Sequence, residues 1–100
     1  MIINLKNELS VDAKKLFVFL CKTLNVDVDL DDYKEDEEGV FFEFGADWVT
    51  YHTIYERWDY MNEQLEKDGW KLCIIWVNER KRNTDYEVKL TFKRLGESYD

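Results

Sequence analysis

Trp70-Lys71-Leu72-Cys73-Ile74-Ile75-Trp76-Val77 and, after a polar stretch, Tyr86-Glu87-Val88-Lys89-Leu90-Thr91-Phe92-Lys93 decide the fold of this chain. The first run is apolar, dense in β-branched residues and too short for a buried helix, so it reads as a central strand. In the second, Tyr86, Val88, Leu90 and Phe92 alternate with Glu87, Lys89, Thr91 and Lys93, which gives a strand one dry face and one wet face. The two are the arms of an antiparallel hairpin, and the polar segment between them, Asn78 to Asn83, carries Arg80-Lys81-Arg82 at its tip.

Working toward the N-terminus, Asp68-Gly69 is a helix terminator. Before it, Tyr51, Ile54, Tyr55, Trp58, Met61 and Leu65 fall on one helical face, with Glu56, Asp59, Glu63, Glu66 and Lys67 mostly on the other. One helix is expected over about 50–67. Gly39-Val40-Phe41-Phe42-Glu43-Phe44 is a short strand opened by glycine and ended or kinked by Gly45. Ser10-Val11-Asp12 opens a first helix, about 11–24, on which Ala13, Leu16, Phe17, Leu20 and Leu24 recur at helical spacing. Val18, Phe19 and Cys21 widen that apolar stripe, which predicts a central helix covered on two sides or one that contributes to an interface. Ile3 and Leu5, alternating with Asn4 and Lys6, add a weakly signalled edge strand. The expected class is α+β: an antiparallel sheet of three to four strands packed against two helices, in the order β-α-β-α-β-β, forming a single domain over 1–100.

Charge is distributed unevenly. Between Asp27 and Glu38, eight acids stand against Lys34 alone, a net of −7 in a chain whose total is −8. Three readings of Asp27, Asp29, Asp31, Asp32, Glu35, Asp36, Glu37 and Glu38 follow. In the first, Asp27, Asp29, Asp31, Glu35 and Glu38 occupy positions 1, 3, 5, 9 and 12 of a calcium loop. Against it, Asp32 stands where the loop needs its sharp-turn glycine, Lys34 where an apolar residue belongs, and a strand rather than a helix follows. The second reading is a solvated loop, because blocks of like charge repel and stay hydrated. In the third, Val28 and Leu30 pin part of the run to the fold as an edge segment. Its carboxylates then form a row that imitates the phosphates held by a basic nucleic-acid groove.

Net negative charge disfavours direct binding to nucleic acid or anionic membranes. No phosphate loop, nucleophile elbow or catalytic triad is present. The lone His52, with Glu56 four residues on, is at most half of a metal or acid–base site, so no enzyme and no cofactor is expected. Cys21 and Cys73, set in apolar surroundings without metal-type spacing, read as buried free thiols. The first residues lack a signal peptide's apolar region, and a cytoplasmic location is the expectation. Trp58, Trp70 and Trp76 read as core; Trp48, Tyr60 and Tyr33 are less well explained by packing, and Tyr33 lies inside the acid run where it would serve as an interface anchor.

In size, charge and compactness the chain resembles small acidic inhibitors of nucleases, repair enzymes and bacterial defence complexes. The resemblance implies a DNA mimic, such as a phage anti-CRISPR protein or a nuclease inhibitor. Asp27, Asp29, Asp31, Asp32, Tyr33, Glu35, Asp36, Glu37 and Glu38 would then meet the basic surface of a partner protein. A calcium-binding regulatory module and a homodimeric scaffold are the alternatives.

Overall fold

The computed structural model describes residues 9–79 and 86–95, with the backbone alone at 74–76, 78 and 79. The elements are α1 (Val11–Leu24), β1 (Leu30–Glu35), β2 (Gly39–Ala46), α2 (Trp48–Glu56), α3 (Trp58–Lys67), β3 (Trp70–Glu79) and β4 (Tyr86–Arg94). They form a four-stranded sheet in the order β1-β2-β4-β3, antiparallel throughout, so the α+β class follows the expectation.

Several details do not. The middle of the acid run is a strand, so the chain reads α-β-β-α-α-β-β. The expected helix over 50–67 is two helices, broken at Arg57, whose φ of −103° and ψ of 13° leave the helical well. Among the described residues β3, expected at the centre, is an edge, because the α2–α3 crossover carries the chain to the far side of the sheet and β4 returns between β3 and β2. The Ile3–Leu5 strand, the Arg80-Lys81-Arg82 tip and the Trp76 side chain lie outside the described residues.

The core sits between the sheet and the helices. Val40, Phe42 and Phe44 of β2 and Val88, Leu90 and Phe92 of β4 point to one side and are fully buried, against Leu16, Phe17, Leu20, Ile54, Met61 and Leu65. Phe42 is its centre, with ring centroids 6.1 Å from Phe17 and 5.7 Å from Phe92, both edge-on. Such pairs contribute roughly 0.5–1.5 kcal/mol beyond area burial. Trp58 and Trp70 pack on this core while half-buried. α1 keeps its expected bounds but covers the sheet from one side only: Val11 and Val18 are exposed, so it is not a helix enclosed on two sides. Nor are both thiols core. Cys21 is half-buried and Cys73, on the opposite sheet face, is exposed.

Local chemistry explains the ends. Ser10 caps α1 by accepting from the Ala13 amide at 3.0 Å, and Asp47 caps α2 through the Thr50 amide at 2.8 Å. Asn25 ends α1 in the left-handed region, φ 58°, a conformation open to asparagine at little cost. On α3, Asn62 accepts from the Leu72 amide at 2.7 Å, which ties that helix to edge strand β3.

Candidate functional site

The acid run begins on an anchored loop. After the Asn25 cap, the Val26 amide returns to the Cys21 carbonyl at 3.1 Å, and the Val28 amide donates to Cys21 Sγ at 3.5 Å. Val28 is buried and Leu30 packs against the core, so Asp27, Asp29 and Asp31, at the alternate positions, are exposed.

At Asp31 the register shifts. Leu30 is opposite Phe44, yet Asp32 is opposite Glu43, so a bulge inserts one residue and exchanges the faces of everything after it. Tyr33 and Glu35, opposite Phe42 and Val40, therefore turn toward the helices, while Asp32 and Lys34 turn to the open face. The Tyr33 ring lies 6.0 Å from Phe42, its hydroxyl donates to Glu35, and the Ser10 amide reaches that hydroxyl at 3.5 Å. Burial, then the Glu35 hydrogen bond, push the phenol above its ordinary range. Tyr33 is thus a half-buried packing residue.

Glu35 is the centre of a latch. Its Oε2 accepts from Arg94 at 3.0 Å, and Arg94 also reaches Asp12 at 3.4 Å and the Asp36 carbonyl at 3.2 Å, its guanidinium 4.7 Å from the Trp70 ring. Hydrogen bonds from Ser10, then Tyr33, and the Arg94 charge hold the Glu35 carboxyl below its ordinary value. One carboxylate from the acid run therefore joins α1, β1, β3 and β4.

The run ends in a turn. Asp36 Oδ1 accepts from the Glu38 amide at 2.8 Å and the Gly39 amide at 3.1 Å, the side chain closing its own turn. Glu37 and Glu38 project into solvent there.

Of the nine expected residues, Asp27, Asp29, Asp31, Glu37 and Glu38 are exposed, the first three around the start of β1 and the last two in the turn at its other end. Asp36 is exposed but engaged in the turn, and Asp32 looks onto the open sheet face. Tyr33 and Glu35 are turned inward. The five carboxylates of the calcium reading are spread over loop, bulge, strand and turn. Among the described residues, no group of three or more metal-ligating side chains is in position for an ion.

The open face adds two acids that the sequence reading missed. Glu43 is pushed above its ordinary value first by a hydrogen bond with Glu87, then by burial and the Glu87 charge, while Lys89 opposes and Asp32 reinforces the rise. Alternation marked Glu87 as an outward position; only the register, which sets Glu43 against Lys89 and Gly45 against Glu87, brings the two together. Beside the turn, a cavity of about 500 Å³ is lined by Lys34, Asp36, Glu38, Phe41, Cys73 and Lys93, so the surface changes from acidic to mixed within one strand width.

Fold and site together define a two-layer α+β domain that presents carboxylates from an edge strand and its flanking loops. No family model, no curated protein and no solved structure matches the chain. Among the described residues, no helix is long and apolar enough to cross a membrane.

Proposed function

We propose that this protein is a small binding inhibitor whose β1 edge occupies the basic groove of a nucleic-acid-handling protein, in the manner of anti-CRISPR proteins and nuclease inhibitors. The observation that carries the reading is the support beneath the charges. Asp27, Asp29 and Asp31 alternate with Val28 and Leu30, which are held by the core, so the carboxylates stand in a row that need not be ordered on binding. Glu37 and Glu38 continue the negative rim past the strand, while Asp32, Glu43 and Glu87 extend it over the open face. With free thiols at Cys21 and Cys73, a reducing, cytoplasmic setting suits it.

The test is capture followed by competition. The chain is immobilised beside a variant carrying Asp27→Asn, Asp29→Asn, Asp31→Asn, Glu37→Gln and Glu38→Gln, which spares the Glu35 latch and the Asp36 turn. A mimic captures a nucleic-acid-binding protein, releases it steeply with salt, and is displaced by duplex DNA. A captured protein that still binds DNA while attached, or that the neutralised variant holds equally well, would rule this function out.

A further inference from the structure

α2 carries a row of rings that the core does not use. Trp48 is 55% exposed and Tyr55 47%, the two ends of a connected set. Trp48 lies 3.9 Å from His52, His52 4.8 Å from Tyr51, and Tyr51 5.3 Å from Tyr55 and 4.8 Å from Tyr86, centroid to centroid. In a chain where 36% of residues are charged, the nine residues of this helix hold one formal charge, Glu56. The nearest cation in sequence, Arg57, is directed elsewhere, its Nη1 donating to the Thr23 carbonyl at 2.9 Å.

We propose that this aromatic ladder is a second contact surface, one that takes guanidinium groups from the same basic partner as the β1 rim. The inference rests on the mimic reading of that partner. Two arguments select the occupant. The faces of indole and phenol rings carry negative potential and attract cations, arginine most of all because its flat guanidinium also stacks. The ladder also stands at the end of the sheet where the acid run begins: Leu30 pairs with Phe44 and Ala46 with Tyr86, so β1 and β4 both start at this end. They are separated by two strand spacings, about 10 Å. Carboxylates steer a basic surface to this end, and exposed Trp and Tyr are the residue types that anchor interfaces once it arrives.

The experiment titrates the full chain, at low salt, with a six-arginine and a six-lysine peptide, read by calorimetry and tryptophan fluorescence. Three proteins are compared: the native chain, the rim-neutralised variant, and Trp48→Leu/Tyr55→Leu, which keeps apolar bulk and removes the π-faces. The ladder variant is expected to bind the arginine peptide roughly five- to tenfold more weakly than native and the lysine peptide with a smaller loss. Because both sites are exposed, its circular dichroism should match native. If the leucine variant binds the arginine peptide as native does, or if adenosine monophosphate changes the fluorescence and the peptides do not, the ladder is not a cation site. Rim neutralisation reads the other claim separately: unchanged peptide binding there counts against the rim while leaving the ladder standing.

Discussion

Replacing Glu35 with glutamine should cost stability at neutral pH and nothing in acid. Its carboxylate receives a charge-assisted bond from Arg94 at 3.0 Å and another from Tyr33, with side-chain exposures of 20% for Glu35 and 31% for Arg94. Hydrogen bonds to charged groups contribute about 1.5–3 kcal/mol each, and glutamine retains an acceptor for Tyr33. Discounting for solvent at the partly exposed pair, the loss should be about 1–2 kcal/mol. In a domain of this size that lowers Tm by roughly 5–15 °C. The pH dependence follows from the direction of the shift. The folded carboxyl lies below its ordinary 4.5, so its contribution is present above that value and disappears as pH falls through the folded one. Denaturation of native and Glu35→Gln proteins between about pH 7 and pH 2.5 should show the two curves converging in acid. Glu37→Gln, at an exposed position of the same charge run, should change stability by less than about 0.5 kcal/mol at any pH. An equal deficit at both ends of the range, or equal effects at Glu35 and Glu37, would refute the latch.

Gly39→Ala should destabilise, although replacing glycine often does the reverse, because a Cβ there would lie 2.3 Å from the Phe92 carbonyl oxygen and 3.1 Å from Lys93 Cα. The expected cost is roughly 2 kcal/mol or more, read as a Tm drop of about 10 °C in a thermal melt; an unchanged melt would mean β2 and β4 are farther apart at that point. Under native conditions a maleimide should label Cys73 well before Cys21, since the first is exposed and the second is half-buried beneath the Val28 amide. Peptide mapping at early times checks the order, and equal labelling would contradict it.

Much of this architecture was legible from periodicity. The alternation of Tyr86 to Lys93 found β4, and the Ser10 cap with the stripe from Ala13 to Leu24 found α1 to the residue. The break at Arg57 was not legible, because Ile54, Trp58 and Met61 keep helical spacing across it and no glycine or proline marks it. What turns the chain there is tertiary: α3 packs along β3, while α2 sits over the ends of β2 and β4. The strand within the acid run was hidden by composition, since aspartate is a poor strand former. Its pairing with β2 and the Asp36 turn supply what propensity lacks. The alternation of Val28 and Leu30 did indicate an edge segment. The bulge at Asp31 then inverted the phase, so Tyr33 and Glu35, which looked like binding residues, became part of the scaffold. The most apolar segment, Trp70 to Val77, is an edge strand among the described residues, with α3 packed along it.

The bulge in β1 has a further consequence, for self-association. Among the described residues β1 is the last strand of its sheet, and its outer backbone amides and carbonyls would template the strand of another molecule if the edge were straight and neutral. A kink at Asp31, with Asp29, Asp31, Asp32, Lys34 and Glu35 along the segment, makes that pairing geometrically poor and electrostatically costly. The same carboxylates that the proposed function sets against a partner's groove therefore also disfavour pairing between two copies of this edge. Under the proposed function, charge at this edge is then a constraint with two independent sources, binding and protection against edge-to-edge pairing.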